Sequence, residues 1–239
     1  MTATGTTGSW QEVHAMPILG PRLKIVLLSA LIVAGAASQD LASAQTTGGE
    51  PATAILAGGC FWCVEADFER VRGVSEAVSG FTGGSVENPG YDEVAGGGTG
   101  HREAVRITYD PDVVSYSQIV HLFFRSIDPL DAGGQFCDRG HQYSTAIYAL
   151  TPRQREAAEA ARAAAAAELG EDIVTPIEDA QPFYEAGGYH QDYHRSGDIV
   201  LTRFGPRSKA SAYRLYRDSC GRDARVRELW GDDAPFADH

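Results

Sequence analysis

The alternation of hydrophobic and polar residues predicts strands and helices in turn from residue 53 onward. A short apolar run over 53–57 ends in Gly58-Gly59, which is typical of a strand that meets a tight turn. Apolar side chains then recur at helical spacing over 61–71, so the pattern predicts a helix directly after the turn. Further strands are predicted at 74–81, 103–109, 143–150 and 173–177, and further helices at 116–127 and 153–169.

Capping residues delimit the longest predicted helix. Thr151-Pro152 is an N-cap followed by proline at the first helical position, and Gly170 is a typical C-terminal stop. Residues 82–100 are rich in glycine and predict a loop, whereas the chain from Phe183 predicts loop and short helix. Because short links join the elements and no repeat is present, the pattern predicts one α+β domain over 53–239.

The first 44 residues have the pattern of an export signal. Two basic residues precede an uncharged apolar run over 25–37, and a small-x-small cleavage site ends at Ala44. The run is too short to span a bilayer comfortably, so a membrane anchor is the weaker interpretation. We predict a cleaved segment 1–44, a linker over 45–52 and a periplasmic or secreted protein, with Met16 as an alternative start to Met1.

The segment that follows the predicted cut is acidic. From Gln45 onward it holds 18 Lys and Arg against 30 Asp and Glu. This balance argues against nucleic-acid or anionic-membrane partners, because both require basic patches. Four cysteines also lie in this segment, and an even number in an exported chain commonly indicates structural disulfides.

Cys60 nevertheless has the sequence surroundings of a reactive thiol. It follows Gly58-Gly59 and begins the predicted helix, whose dipole and free N–H groups lower the pKa of a thiol. The glycines allow a sharp turn that leaves the sulfur uncovered. Phe61 and Trp62 beside it form an apolar floor for a small substrate group. A cysteine that only staples the fold requires neither feature.

The same cysteine opens a C-x-x-C motif, which leaves three interpretations open. A thiol–disulfide exchange protein of the thioredoxin type places this motif at a helix start, although the bulky Phe61 and Trp62 would hinder docking of a protein disulfide. A zinc- or disulfide-stapled binding domain has enough ligands but lacks a second C-x-x-C pair. The third is a nucleophile with resolving thiols. The four cysteines concerned are Cys60, Cys63, Cys137 and Cys220.

A set of short motifs falls in a fixed order along the chain: Gly59-Cys60-Phe61-Trp62, Gly83-Gly84, Asn88-Pro89, Tyr91, Thr99-Gly100-His101, Glu103, Tyr109-Asp110-Pro111, Asp138, Gly140, Gln142-Tyr143 and Tyr189-His190-Gln191. Together these motifs resemble the peptide methionine sulfoxide reductases of the A class. The ending Ser219-Cys220-Gly221-Arg222-Asp223 is similar to a bacterial branch of that family. The resemblance implies a single-domain α/β sandwich of ferredoxin-like type, with a loop-rich C-terminal tail and no cofactor.

By this resemblance, Cys60 attacks the sulfur of a methionine S-sulfoxide, free or protein-bound, and releases methionine. Glu103 occupies the acid position of the family. A carboxyl group kept neutral in an apolar pocket can protonate the leaving oxygen. The pair His190 and His194 has the spacing of metal ligands but no obvious third partner, and Tyr189-His190-Gln191 matches a family segment without a metal role. We therefore predict no metal.

The other site residues also follow from the resemblance. Tyr91 and Tyr143 fall on the two hydroxyl donors that hold the sulfoxide oxygen. Asp138 matches a residue of the family that supports the catalytic side chains without itself contacting the substrate. Phe61 and Trp62 match the pocket for the S-methyl group.

The sulfenic acid left on Cys60 must be resolved by another thiol. Cys220 is the first candidate, because its tail resembles the mobile recycling segment of the family. Cys63 is the second, since one helical turn puts its Cα within ~6 Å of that of Cys60. Cys137 is the third, and with Ser144 it replaces the commoner Asn and Arg of the family. The implied donor is a thioredoxin-like protein, and we expect a monomer.

Overall fold

The computed structural model describes residues 49–202 and 205–237. The predicted N-terminal segment 1–44 and the first half of the predicted linker lie outside the described residues. Ten strands are present in this part of the chain: β1 (Ala52–Gly58), β2 (Val74–Thr82), β3 (Arg102–Tyr109), β4 (Gly134–Gln135), β5 (Asp138–Arg139), β6 (Thr145–Ala149), β7 (Ile177–Asp179), β8 (Tyr184–Glu185), β9 (Ile199–Thr202) and β10 (Gly205–Ser208).

Six α-helices complete the described chain. They are α1 (Phe61–Phe68), α2 (Tyr91–Ala95), α3 (Tyr116–Phe124), α4 (Pro152–Leu169), α5 (Lys209–Cys220) and α6 (Arg222–Trp230), and short 3-10 turns lie at His141–Tyr143 and Gly231–Asp233. None of these helices is long and apolar enough to cross a membrane.

A six-stranded mixed sheet forms the centre, in the order β7-β6-β1-β3-β2-β8. Only β7 runs parallel to its neighbour, β6, and the other pairs are antiparallel. The register sets Phe81 of β2 opposite Glu103 of β3, beside the turn that follows β1. The predicted α+β fold is therefore confirmed in its coarse form, a mixed sheet with helices, and its ferredoxin-like detail stays a prediction.

The two faces of the sheet bury different side chains, because successive residues of a strand point to opposite sides. Ala54 and Leu56 of β1 join the main core with the apolar faces of α1, α3 and α4. Ile55 and Ala57 point to the other face, into a smaller cluster that Phe183 covers. The helices that carry or flank the candidate site thus pack against one face of the sheet.

The predicted ends of α4 are confirmed. Thr151 is the N-cap, and its hydroxyl accepts a hydrogen bond from the N–H of Gln154 at 3.1 Å. Pro152 takes the first turn, where its missing N–H costs nothing, and Gly170 ends the helix with a left-handed φ of 69°.

Two predicted elements are wrong in position or type. The strand predicted at 173–177 is instead Ile177–Asp179, because the N–H of Val174 donates to the carbonyl of Pro129 (2.9 Å) rather than to a strand. The predicted loop 82–100 contains α2, whose start is held by a hydrogen bond from the N–H of Gly90 to the Glu93 carboxylate at 2.8 Å.

For the C-terminal tail from Phe183, the predicted short helix ending near Trp230 is confirmed, but the loop-rich description is wrong, because two helices and a hairpin occupy much of the tail. Ser208 caps α5 by accepting a hydrogen bond from the N–H of Ser211. Tyr213 and Arg217, four residues apart, bury one face of α5, and Val226 and Trp230 do the same for α6. The apolar spacing of these helices is sparse, so tertiary contacts rather than local pattern stabilise them.

Candidate active site

Cys60 lies in the turn between β1 and α1, immediately before the first helical residue. Gly59 has a φ of +83°, and a Cβ atom on it would lie 2.5 Å from the Cβ of Gln135. The predicted Gly-Gly turn is therefore confirmed, with glycine required at its second position. The prediction that the turn leaves the sulfur uncovered is wrong. Cys60 is only 6% exposed, because aromatic side chains from the tail pack around it.

Replacing Gly59 with alanine is expected to lower the free energy of unfolding by about 3 kcal/mol, since the alanine would be strained at this φ and its Cβ would clash with the Gln135 side chain. Urea titration of the variant measures this loss. Gly187→Ala is the matched control, because a Cβ there meets no atom within 4 Å and its φ is not left-handed. Equal stability of the two variants would show that the turn does not require glycine.

A small cavity of about 80 Å³ opens beside Cys60. It is lined by Cys60, Phe61, Trp62, Tyr91, Glu103, Asp138, Tyr143 and Tyr216. The fold thus brings together all five residues predicted as catalytic and both residues predicted to bind substrate. They come from the β1–α1 turn, α2, β3 and the segment around β5. Tyr216 is the additional member that the sequence pattern did not identify.

Glu103 is buried on β3, and its Oε2 accepts a hydrogen bond from the N–H of Phe61 at 2.9 Å. Burial is the main cause that raises its pKa to about 8, with the charges of Asp138 and Cys63 adding to it and the Phe61 hydrogen bond opposing it. The carboxyl group is therefore largely protonated at neutral pH. A neutral carboxylic acid beside a thiol can donate a proton to a substrate oxygen.

Two tyrosine hydroxyls face the same cavity. Tyr91 begins α2, and Tyr143 ends the 3-10 turn before β6. Burial, with the nearby charge of Glu103, raises the pKa of both phenols, so each remains a neutral hydrogen-bond donor. The ring of Tyr91 stacks on His190 with 4.1 Å between centroids, which fixes its orientation.

Phe61 and Trp62 form the apolar side of the cavity, and the rings of Tyr193 and His190 pack behind Trp62. Trp62 stacks on Tyr193 with ring centroids 3.9 Å apart, and the His190 ring lies 5.8 Å from Trp62. His190 is buried, and burial lowers its pKa, so its ring is neutral and aromatic in character. The motif Tyr189-His190-Gln191 was the sequence signal for this aromatic wall.

Asp138 and Tyr216 meet at the edge of the cavity. The Tyr216 hydroxyl donates a hydrogen bond to Oδ2 of Asp138. Burial raises the pKa of Asp138, and the Tyr216 hydrogen bond and the charge of Arg222 oppose that rise. Arg222 also donates to the carbonyls of Gly58 (2.9 Å) and Ser126 (2.8 Å), which ties α6 to the turn that carries Cys60.

Cys60 and Cys63 are free thiols, and both are buried. Burial, followed by the neighbouring Cys63, raises the pKa of Cys60 well above its usual value. The predicted lowering by the helix N-terminus is therefore wrong in direction for Cys60, because burial and the neighbouring Cys63, Glu103 and Asp138 all raise its pKa. Burial also opposes the Cys63 thiolate, but a hydrogen bond from Cys60 and the charges of Arg222 and Arg217 lower the pKa of Cys63 to about 7.

Cys137 and Cys220 form a disulfide, with their Cα atoms 5.0 Å apart. Cys137 is exposed and Cys220 is half-buried. The disulfide lines an outer pocket of about 370 Å³, and Trp62 and Tyr216 line both this pocket and the inner cavity. The first candidate for the resolving thiol, Cys220, is thus bonded to the third, Cys137, while Cys63 remains a thiol.

Among the described residues, the group with a geometry suited to a cation is Glu65, Glu69 and Asp192, whose ligand atoms lie within 4.8 Å of one another. Glu65 already accepts hydrogen bonds from the Ser79 hydroxyl and from the N–H of Asp192. These contacts link α1 to β2 and to the tail, and the group lies outside the set of residues that lines the cavity.

Comparison with known proteins agrees with this arrangement. Residues 52–216 match the family described as peptide methionine sulfoxide reductase. A protein of Rhizobium meliloti named peptide methionine sulfoxide reductase MsrA 2 is 50% identical over 185 residues, which cover 77% of this chain and 86% of the relative. A protein of the same name from Caulobacter vibrioides is 44% identical over 211 residues, covering 88% and 98%.

A solved structure, methionine sulfoxide reductase A of Corynebacterium diphtheriae, superposes with a TM-score of 0.54 at 32% identity, covering 62% of this chain and 75% of that one. The family match spans β1 through most of α5 and includes each residue that lines the inner cavity. This chain therefore belongs to the peptide methionine sulfoxide reductase family, in its A class.

Proposed function

We propose that this chain reduces the S epimer of methionine sulfoxide, free or in proteins, with Cys60 as the nucleophile. The observation that carries the proposal is the cavity in which Cys60, a protonated Glu103 and two tyrosine hydroxyls meet an apolar wall. A methyl sulfoxide is complementary to this cavity, since its sulfur carries an apolar methyl group for the apolar wall and an oxygen that accepts hydrogen bonds from the donors. Repair of oxidised proteins follows from this activity.

In the reductive step, the Cys60 sulfur attacks the sulfoxide sulfur, and the oxygen is transferred to Cys60. Glu103 supplies a proton to that oxygen, and Tyr91 and Tyr143 hold the oxygen by hydrogen bonds. The proton that the Cys60 thiol loses passes to the Glu103 carboxylate, which restores the acid. Methionine leaves, and the thiol becomes a sulfenic acid, so one oxygen atom and two electrons have been exchanged. Phe61 and Trp62 contact the methyl group.

In the resolving step, we propose that Cys63 takes precedence over Cys220. Cys63 is a buried thiol one helical turn from Cys60, and its pKa of about 7 makes a thiolate available at neutral pH. Its attack on the sulfenic acid forms a disulfide and releases water. Cys220 is held by Cys137 and is not a thiol in this structure.

A thioredoxin-like dithiol then reduces the Cys137–Cys220 disulfide. The two outer thiols attack the Cys60–Cys63 disulfide, which returns to two thiols as the Cys137–Cys220 disulfide forms again. The inner pair is 6% and 1% exposed, whereas Cys137 is exposed at the surface. Thiol–disulfide exchange requires a thiolate to reach one of the two sulfurs. A protein donor therefore meets the outer disulfide more readily than the inner one.

One experiment tests both steps. The fully reduced chain is given one equivalent of methionine S-sulfoxide without reductant, quenched with acid and analysed by peptide mass spectrometry. We expect one methionine per chain from the S epimer, none from the R epimer, and a Cys60–Cys63 bridge in the earliest quenched samples that a Cys137–Cys220 bridge then replaces. A Cys60–Cys220 bridge would restore the order that the sequence favours, and no methionine from either epimer would contradict the proposed function.

The alternative of a thiol–disulfide exchange protein is weaker on geometry. Such a protein presents its attacking cysteine to a protein disulfide, whereas Cys60 lies beneath Trp62, Tyr193 and Tyr216. The alternative of a zinc-stapled domain requires four thiolates, and two of the four sulfurs are bonded to each other.

We further propose that the protein is exported, cleaved after about Ala44, and acts as a monomer in the periplasm or outside the cell. The charge and hydropathy pattern of residues 1–44 supports export, and sequencing the N-terminus of protein recovered from cells tests the cut. We also propose a ferredoxin-like core, which the antiparallel order β6-β1-β3-β2 with crossover helices α1 and α3 supports.

A further inference from the structure

Two links join helix α5 to the loop that carries Asp138. Cys220 is bonded to Cys137, and the Tyr216 hydroxyl donates to the Asp138 carboxylate. Residues four apart on a helix lie on the same face, so Tyr216 and Cys220 point to the same side of α5. Their partners are consecutive residues, and the helix and the loop are therefore fastened at two adjacent points.

Tyr216 forms the wall between the two pockets. Its side chain lines the inner cavity together with Cys60 and also lines the outer pocket together with the disulfide. Its ring meets Trp62 edge-on, with 6.3 Å between centroids. Together with the Trp62 ring, the Tyr216 ring therefore separates a cavity of about 80 Å³ from a pocket of about 370 Å³.

The hydroxyl of Tyr216 also determines where the Asp138 carboxylate lies. A half-buried carboxylate needs hydrogen-bond donors, because leaving it unpaired costs desolvation energy without compensation. Tyr216 supplies such a donor, and Asp138 in turn lines the cavity beside Tyr143 and Tyr91. A shift of Tyr216 would move the carboxylate or leave it unpaired.

We propose that Tyr216 is a positioning residue that holds Asp138 at the edge of the cavity, and that the Cys137–Cys220 disulfide holds Tyr216 there. Breaking this disulfide therefore loosens the wall of the cavity. A dithiol reductant breaks it by giving two electrons and two protons, which leaves two thiols on the chain and a disulfide on the reductant. The inference rests on the proposed function, since it concerns the same cavity, and it links access to Cys60 to the redox state of the outer pair.

The first test is a double-mutant cycle on the rate of methionine formation in a single turnover. Tyr216→Phe keeps the ring and removes the hydroxyl, and we expect it to lower the saturating rate about fivefold while the half-saturating sulfoxide concentration stays within about twofold. In the Asp138→Asn background the same change is expected to have less than about a twofold effect. Equal effects in both backgrounds would show that Tyr216 does not act through Asp138.

Tyr116→Phe is the matched control for the loss of a tyrosine hydroxyl. The Tyr116 hydroxyl lies on α3, is buried and has no hydrogen-bond partner. We expect the control to keep the single-turnover rate of the unaltered chain. A general loss of rate in both phenylalanine variants would contradict a specific role for Tyr216.

The second test measures access to Cys60 without any turnover. The chain with its outer disulfide intact and the double variant Cys137→Ser/Cys220→Ser are treated with iodoacetamide, and alkylation of Cys60 is followed by peptide mass spectrometry. We expect Cys60 to react about fivefold faster in the double variant, because no disulfide then holds Tyr216 at the edge of the inner cavity. A cooperative urea transition confirms that the double variant folds.

Equal alkylation rates in the two chains would overturn the role of the disulfide. This readout does not depend on sulfoxide reduction. A chain that formed no methionine but showed the difference in alkylation would contradict the proposed function while supporting this inference, so the two can fail separately.

Discussion

Cys60→Ser is expected to abolish the reduction of methionine S-sulfoxide, with a fall in the single-turnover rate of at least about 1,000-fold. A serine hydroxyl occupies nearly the same space but cannot accept the sulfoxide oxygen in a stable form as a thiol does. The buried position of Cys60 in the cavity leaves room for an oxygen in place of sulfur. Methionine released per chain, measured by chromatography without reductant, checks the prediction.

Cys63→Ser provides the contrast on the same helix. We expect this variant to release methionine from the S epimer but to accumulate a sulfenic acid on Cys60, which dimedone labels and mass spectrometry detects. Urea unfolding of both serine variants shows whether the packing around the two thiols survives. Full activity in Cys60→Ser would remove the central claim of the mechanism.

The longer elements of the fold could be predicted from the sequence because their patterns are local. The caps Thr151 and Gly170 and the Gly-Gly turn before Cys60 act through backbone geometry that nearby residues determine. The short strand β7 and the helices of the tail could not be located in this way. Their existence depends on partners far along the chain, such as Ile147 beside Ile177.

The members of the site could be predicted because ordered motifs carry them, but their chemical state could not. Glu103 looks in sequence like any carboxylate on an alternating strand, and its raised pKa comes mainly from burial in the fold. For Cys60 the helix N-terminus predicted a lowered pKa, and desolvation reverses that direction. Tyr216 lies on a helix 113 positions after Glu103 in the chain, and no spacing rule links it to the cavity.

The pairing of the cysteines shows the same limit. The resemblance of its tail to the recycling segment of the family favoured Cys220 as the partner of Cys60, and helical spacing favoured Cys63. The fold instead sets Cys220 against Cys137, a residue that departs from the commoner family pattern. Loop closure of this kind depends on where α5 docks, which the sequence around either cysteine does not determine.

Glu103→Gln is expected to slow the reductive step at least about 100-fold at neutral pH, because a positioned general acid contributes factors of this size. Glutamine keeps the shape of the side chain, and its amide oxygen can still accept the hydrogen bond from the N–H of Phe61. The variant therefore removes the acidic proton with little change in packing. A single-turnover rate equal to that of the unaltered chain would remove the acid role from Glu103.

The pH dependence of stability tests the protonation state on which this role depends. The folded carboxyl group keeps its proton up to a pKa of about 8, whereas in the unfolded chain it ionises near pH ~4.3. The stability that neutral Glu103 contributes is thus complete below the unfolded pKa and is lost as the pH rises through the folded pKa. Relative to Glu103→Gln, the unaltered chain should lose on the order of 4 kcal/mol of unfolding free energy between pH 4 and pH 8.

Urea titrations of both chains across this range measure this difference in unfolding free energy directly. A difference that does not change with pH would mean that Glu103 is already ionised at neutral pH in the folded chain. An ionised carboxylate has no proton to give to the sulfoxide oxygen, so a kinetic loss in Glu103→Gln would then need another cause. We expect the unfolding free energy of the unaltered chain to fall with pH relative to that of Glu103→Gln. This fall, together with the slowed reductive step, would identify Glu103 as the donor of the proton to the sulfoxide oxygen.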